Sequence, residues 1–233
     1  MAFQRLTNRK ATSLTPQVVT IVVDDSGSMT NSVIDVADGA NKPKSSIVTS
    51  GVQDIVITIQ AGNQGASNSR FFLNIAKFGD SAIPLVEAGR PESVSLSDLT
   101  FAGDSGGTEM AAALVWAAKA TQKALAECRK IPNYSEEGSP NPLVLFCSDG
   151  ENTGPDVAVP AQALRSISFA GGRVDVVAAG VGMNQKDFAV MEKIASKPEL
   201  SVNVDPSQLS EFLAEVGATL QKGEAPEKLV GKF

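Results

Sequence analysis

The stretch QVVTIVVDDSGSM, from Gln17 to Met29, decides the fold class. Its first part, Val18 to Val23, is a nearly continuous run of β-branched residues, which is typical of a central parallel strand buried on both faces. The residues that follow, DSGSM, are small and polar and predict a tight loop. The stretch therefore predicts a buried strand that delivers polar side chains to its carboxyl end.

Further along the chain, predicted strands and helices alternate. Residues 45–60 have apolar side chains at helical spacing, although their β-branched content favours a strand, and we predict a helix because of the length and period. FFLNIAKFGD and SAIPLVEAG predict a hairpin with Pro84 on an edge strand. TEMAAALVWAAKATQKALAECRK is the clearest helix. Further strands are predicted in LVLFCS, RVDVVAAGVG and LSVNVD, and further helices over 157–170, 185–196 and 207–221.

This alternation predicts an α/β fold with a doubly wound, mostly parallel central sheet, one antiparallel edge strand and helices on both faces. The length of 233 residues fits one large domain. We expect a polar N-terminal arm over residues 1–15, the domain over 16–222 and a flexible C-terminal tail over 223–233.

Composition excludes several classes of chemistry. The chain contains no histidine, so GDSGGT, from Gly103 to Thr108, cannot surround the serine of a trypsin-like triad, and His-ligated zinc is excluded. Cys128 and Cys147 lie in helical or apolar surroundings and are expected to be inert buried thiols. The net charge of −6 and the pI near 4.8 argue against a nucleic-acid partner.

Targeting features are equally informative. Residues 1–16 contain basic residues but lack the apolar segment of a signal peptide, and no run of residues is apolar enough to span a membrane. We therefore expect a cytoplasmic protein with no membrane partner.

Oxygen-bearing side chains follow two of the predicted strands. Asp24, Ser26 and Ser28 alternate in the first loop, and Asp149 ends the strand LVLFCS. In doubly wound sheets, sites lie outside the carboxyl ends of the strands where the strand order reverses. Carboxylate and hydroxyl oxygens suit a hard cation such as Mg²⁺. We interpret Asp25 as solvated or a local cap, with support of the metal ligands from behind as the alternative. We interpret Asp35 and Asp38 as loop polarity, with a second cation site as the alternative.

These motifs resemble the von Willebrand factor A (vWA) domain. The resemblance is carried by DxSxS at Asp24, Ser26 and Ser28, by GGT ending in Thr108 and by SDG carrying Asp149, in the family's order, and it extends from about Pro16 to about Lys222. It implies a metal-ion-dependent adhesion site (MIDAS) formed by these five residues, with Asp149 acting directly or through water. GGTEMAAAL, VVAAGVGMN and VNVDPSQLSEFLAEV are similar to bacterial intracellular vWA proteins associated with tellurium-resistance and stress operons. The polar segment 30–44 departs from that pattern and is expected beside the metal face.

The resemblance implies a divalent-cation-dependent protein–protein interaction module that is not an enzyme. Mg²⁺ is the expected cofactor, with Mn²⁺ and Ca²⁺ as alternatives, and an Asp or Glu carboxylate of a protein partner completes the metal shell, within a bacterial intracellular stress or assembly system. The residues expected to contact the partner are Met29, Asn31, Gly107, Glu151 and Asn152.

Two other functions remain open at this stage. One is a Mg²⁺-dependent phosphoryl-transfer enzyme with Asp24 as nucleophile, because an aspartate after a buried strand is where aspartyl-phosphate chemistry occurs. Ser26 weakens this hypothesis, since that class normally carries a second acid there. The other is a structural subunit that retains the fold and does not use the metal site.

Overall fold

The centre of the protein is a six-stranded sheet. The computed structural model describes residues 9–62, 70–169 and 172–233. The strands are β1 (Gln17–Asp24), β2 (Ser32–Ile34), β3 (Asn41–Pro43), β4 (Phe71–Phe78), β5 (Ala82–Gly89), β6 (Leu143–Ser148), β7 (Ser168–Phe169), β8 (Gly172–Arg173), β9 (Asp175–Val181) and β10 (Ser201–Val204). The central sheet has the order β10-β9-β6-β1-β4-β5, whereas β2/β3 and β7/β8 form separate hairpins.

Helices cover both faces of this sheet. They are α1 (Lys44–Gly62), α2 (Met110–Cys128), α3 (Ala158–Arg165), α4 (Gln185–Ile194), α5 (Leu209–Lys222) and α6 (Glu227–Val230). α1 packs against α5, α2 packs against α3, and α3 packs against α4. All neighbouring strands of the sheet are parallel except β4 and β5. The predicted doubly wound fold with one antiparallel edge strand is confirmed.

The position of β1 explains where a site can form. β1 lies between β4 and β6, and the register pairs Val23 with Cys147. The chain builds outward from β1 through β4 and β5 on one side, and through β6, β9 and β10 on the other. The strand order therefore reverses between β1 and β6, and the loops after Asp24 and Ser148 meet at the carboxyl edge of the sheet.

The structure decides one ambiguous element and corrects another. Residues 45–60, whose composition favours a strand, lie within α1, and its apolar stripe, which includes Val48, Val52 and Ile55, is buried. Burial of that stripe outweighs the β-propensity of the segment. The helix predicted over 157–170 is too long, because α3 ends at Arg165 and the chain turns into β7, where Phe169 is buried. The turn predicted in GNQGASNS lies largely outside the described residues.

Both ends of the described chain pack against the domain. Residues 1–8 lie outside the described part, but Ala11 of the expected arm is buried in the core. The flexible tail expected over 223–233 is also corrected: after Gly223 the chain forms α6, which buries Leu229. The Phe233 ring packs edge-on against Phe212 at 5.4 Å between centroids, and this apolar contact orders the end of the chain.

The polar segment 30–44 forms the β2/β3 hairpin. Asp35 in this hairpin is buried and accepts a hydrogen bond from Ser210 Oγ at the start of α5. Asp35 also lies 3.4 Å from Lys42 Nζ, and Asp38 pairs with the same ammonium group. The interpretation of Asp35 as loop polarity is therefore wrong. Its carboxylate joins the hairpin to α5, and a lysine already supplies the cation for both acids.

Candidate metal centre

Asp24 lies at the end of β1 and is fully buried. The backbone N–H of Ser26 donates to Asp24 Oδ1 at 2.8 Å, and the hydroxyl of Ser148, at the end of β6, donates to Asp24 Oδ2. The carboxylate is therefore oriented by groups from two neighbouring strands. Burial raises the pKa of Asp24, as does the nearby charge of Asp149, and the hydrogen bonds from Ser148 and Ser26 offset only part of that rise.

The two serines of the first loop connect Asp24 to Asp149. A short 3₁₀ turn over Gly27–Thr30 brings Ser28 back beside Ser26, with 3.0 Å between the two hydroxyl oxygens. Ser28 Oγ also donates to Asp149 Oδ1 at 2.6 Å. This bond spans the space between the two loops, so the motifs after β1 and β6 form one cluster.

Thr108 completes the cluster from a third loop, immediately before α2. A methyl group placed on Gly150 would lie 3.2 Å from Thr108 Oγ1, 3.6 Å from Ser28 Oγ and 3.7 Å from Asp24 Oδ2. Side-chain oxygens from the loop after β1 and from the loop before α2 therefore converge on the space beside Gly150, which has no side chain to fill it. The structure brings all five residues predicted to bind metal into this one region, although Asp24 and Asp149 are far apart in sequence.

The loop that carries Thr108 is held by Asp25. This carboxylate is fully buried and accepts hydrogen bonds from Gly103 N and from Ser105 Oγ, both at 2.7 Å. It also pairs with Lys77 Nζ of β4 at 2.9 Å. The expectation of a solvated or locally capping Asp25 is corrected, because its side chain fixes the GDSGGT loop against the sheet. Ser105, the serine of the protease-like motif, serves this structural bond.

Lys44, the first residue of α1, lies at the site although the sequence motifs do not predict it. Its ammonium group pairs with Asp149 Oδ2, and the exposed fractions of the two side chains are 10% and 0%. The backbone N–H of Lys44 donates to Asn31 O at 3.1 Å, which ties the helix start to the first loop. A weak sequence signal existed, because the helix dipole disfavours a lysine at the start of a helix.

The donor set matches a hard divalent cation. Two carboxylates and three hydroxyls face one another, and oxygen ligands of this kind suit Mg²⁺ better than a soft metal. Within residues 9–62, 70–169 and 172–233, no group of three or more His, Cys, Asp or Glu side chains is arranged to hold a metal. The candidate metal site is therefore the mixed cluster of carboxylates and hydroxyls at the carboxyl edge of the sheet.

No family model and no curated protein matches the chain. Solved structures do match. Proximal thread matrix protein 1 from the mussel byssus, with a zinc-occupied MIDAS motif, is 17% identical with a TM-score of 0.63 over 91% of this chain and 49% of that chain. The von Willebrand factor type A protein of Catenulispora acidiphila is 18% identical with a TM-score of 0.55 over 89% of this chain and 43% of that one.

The fold is that of a vWA domain. The pilus adhesin SpaC of Lactobacillus rhamnosus GG is a further match, at 16% identity and a TM-score of 0.63 over 91% of this chain and 31% of the adhesin. This chain spans about half or less of the length of these proteins. The TM-scores establish the vWA architecture, and identities this low leave the function of the chain to its own residues.

Four of the five residues predicted to contact a partner reach the protein surface. Asn31 and Glu151 are exposed, and Gly107 and Asn152 are half-buried. Asn152 Oδ1 accepts from Met110 N at 3.2 Å, so it also anchors the start of α2. Met29 is fully buried, and its predicted place on the rim is corrected, since the 3₁₀ turn directs its side chain into the core.

Both cysteines lie in the core, as the sequence predicts. Cys128 and Cys147 are free and buried. Burial raises the pKa of Cys128 to about 12 and raises that of Cys147 further, so neither thiol ionises readily near neutral pH.

Among the described residues, no helix has the length and apolar character needed to cross a membrane.

Proposed function

We propose that this chain is a divalent-cation-dependent protein-interaction module with a MIDAS-type site. The observation that carries the proposal is the convergence of Asp24 Oδ2, Ser28 Oγ and Thr108 Oγ1 on the space beside Gly150. Oxygen atoms from separate loops, held by buried hydrogen bonds, are what a pre-organised site for a hard cation requires. Mg²⁺ is the proposed cation, with Mn²⁺ and Ca²⁺ as alternatives.

Each residue has a proposed role. Asp24, Ser28 and Thr108 would hold the cation through the oxygens that face Gly150, and Ser26 would contribute through its hydroxyl beside Ser28. Asp149 would act directly or through a water molecule. When bound, the cation supplies a positive centre with a coordination position open to an anionic oxygen.

The charge of the site favours an acidic ligand from a partner. By formal charge, the two carboxylates of Asp24 and Asp149 outweigh the single ammonium group of Lys44. A divalent cation would leave the cluster with one net positive formal charge in a largely buried setting. An Asp or Glu carboxylate of a protein partner would neutralise it. Asn31, Gly107, Glu151 and Asn152 are the proposed rim around this contact.

The cellular setting of the proposal depends on the sequence resemblance. GGTEMAAAL, VVAAGVGMN and VNVDPSQLSEFLAEV are similar to bacterial intracellular vWA proteins associated with tellurium resistance and stress. A bacterial cytoplasmic stress or assembly system is the setting that we propose on this basis.

The geometry favours a binding role over phosphoryl transfer. An aspartate that attacks a phosphoryl group must present a free carboxylate oxygen. Asp24 is fully buried, so its oxygens are closed to a phosphate ester, and no second acid stands at position 26. Incubation with Mg²⁺ and a phosphate-ester substrate discriminates the two: turnover that Asp24→Asn abolishes would replace the binding hypothesis with an enzymatic one.

Direct titration with Mg²⁺ and Mn²⁺, followed by affinity capture in Mg²⁺ or EDTA, tests the proposed function. Wild type is expected to bind one cation and to capture an acidic-motif protein only in Mg²⁺, whereas Asp24→Ala is expected to lose both activities. Asp38→Ala is the matched control, because Asp38 is an exposed carboxylate in the neighbouring hairpin that pairs with Lys42. Identical capture by wild type and Asp24→Ala would favour a structural subunit that does not use the site.

A further inference from the structure

Lys44 is placed at the proposed metal centre against the preferences of its local structure. It is the first residue of α1, whose first turn contains no acidic residue, and a cation at a helix amino end is disfavoured by the helix dipole. Its side chain is only 10% exposed, although lysine is rarely buried without a partner. Because both the helix dipole and burial disfavour the charged Lys44, its position indicates a specific electrostatic partner.

That partner is Asp149, whose two oxygens are both engaged. Ser28 Oγ donates to Oδ1 at 2.6 Å, and Lys44 Nζ contacts Oδ2. The Asp149 side chain has no exposed surface. A cation entering the cluster therefore meets a carboxylate whose charge an internal ammonium group already balances.

We propose that Lys44 acts as a resident cation of the site, which competes electrostatically with the divalent cation for Asp149 and thereby weakens its binding. This inference rests on the proposed function, since it assumes that the cluster accepts a divalent cation. Two positive charges near one buried carboxylate repel each other strongly, because the surroundings screen them less than water does. Lys44 also lets the cluster persist without metal, since a buried Asp149 would otherwise lack a counter-charge.

Two consequences distinguish this role from simple positioning of Asp149. A positioning residue strengthens metal binding, so its removal would weaken the affinity. A competing cation does the opposite, so its removal would strengthen the affinity and destabilise the metal-free protein at the same time. The metal dependence of the melting temperature therefore becomes larger when Lys44 is replaced.

The test compares Lys44→Met and Lys44→Gln with wild type by calorimetric titration with Mg²⁺ and with Mn²⁺, and by thermal unfolding in EDTA and in saturating Mg²⁺. We expect both variants to bind the cations about tenfold more tightly or better, as expected for removal of a like charge from a poorly screened site. We also expect them to melt below wild type in EDTA and to regain more stability from Mg²⁺. Lys42→Met is the matched control, because Lys42 lies on the same hairpin and pairs with Asp35 and Asp38.

The outcomes separate this inference from the proposed function. If wild type binds a cation and folded Lys44 variants bind it equally or more weakly, the inference fails and the proposed function stands. If neither wild type nor the variants bind a cation, both fail. If only the Lys44 variants bind, the inference is supported in its strongest form. Should Lys44→Met unfold in EDTA, Lys44→Gln and the rescue of either variant by Mg²⁺ provide the same comparison.

Discussion

Asp25 Oδ2 and Lys77 Nζ lie 2.9 Å apart beneath the loop that carries Thr108. The pair joins the loop after β1 to β4, and the same carboxylate accepts hydrogen bonds from Gly103 N and Ser105 Oγ. The position of Thr108 therefore depends on a residue that does not face the metal centre. Its neighbours Asp24 and Ser26 face the candidate site, whereas the Asp25 side chain faces the GDSGGT loop and β4.

Replacing Asp25 tests this scaffold. Asp25→Asn leaves the largely buried Lys77 ammonium with the exposed Asp104 carboxylate, at 3.6 Å, in place of its buried partner, so we expect the free energy of unfolding to fall by about 3 kcal/mol. Urea titration in EDTA measures the loss. Glu87→Gln is the control, since the Glu87–Lys123 pair is exposed and its removal should cost less than about 1 kcal/mol. An equal loss of unfolding free energy in the two variants would contradict the role of Asp25 in holding the loop.

Gly150 offers a test of the metal centre that changes no ligand. In Gly150→Ala, the new methyl group lies among Thr108 Oγ1, Ser28 Oγ and Asp24 Oδ2, and it occupies the space proposed for the cation. We expect divalent-cation affinity to fall by about a hundredfold, because the methyl group excludes the ion from its oxygens. Gly27→Ala is the matched control in the same site, since its methyl group meets nothing within 4 Å. Unchanged calorimetric affinity in Gly150→Ala would place any bound cation elsewhere.

Gly51 and Gly217 form a second matched pair at the contact between α1 and α5. A methyl group on Gly51 would lie 2.4 Å from Leu213 Cδ1 and 2.8 Å from Leu213 Cβ, whereas one on Gly217 would lie 3.5 Å from its nearest neighbours. We expect Gly51→Ala to destabilise the fold by about 1 to 3 kcal/mol through overpacking. Gly217→Ala should be neutral or stabilising by up to about 1 kcal/mol, because alanine is the better helix former. Thermal and urea unfolding of both variants measure these changes in stability. A Gly51→Ala variant as stable as wild type would contradict the close packing of Gly51 against Leu213.

Asp35 predicts a pH dependence of stability. Burial alone would raise its pKa, but the hydrogen bonds from Ser210, Ala37 N–H and Lys42 outweigh burial, and the pKa lies below the ordinary value of 3.8. The folded state therefore favours ionised Asp35, and this contribution is fully present above about pH 4 and is lost as the pH falls through the lowered pKa. The stability difference between wild type and Asp35→Asn should be largest at neutral pH and shrink below pH 4. Asp54→Asn, at an exposed position on α1, is the control, and a difference independent of pH would refute the assignment.

The main features of the fold follow from local patterns in the sequence. The β-branched run before Asp24 predicts a buried strand because only a sheet covered on both faces accommodates it. The helical spacing over residues 45–60 outweighs their strand propensity because burial of one face stabilises a helix more than intrinsic preference does. The last segment, 223–233, is predicted as a flexible tail from sequence, and only its packing on Phe212 and its neighbours orders it.

Composition and local order in the chain limit which residue types could form a site. The chain contains no histidine, and it places hydroxyl and carboxylate side chains directly after two buried strands, so a hard cation is the chemistry that these residues suit. Only the tertiary structure decided which side chains meet. Lys44 reaches Asp149, Met29 turns inward and Asp25 supports the Thr108 loop through contacts between residues far apart in the chain or through the geometry of a tight turn. A local pattern encodes which face of an element is buried, but long-range charge pairing depends on how the elements pack.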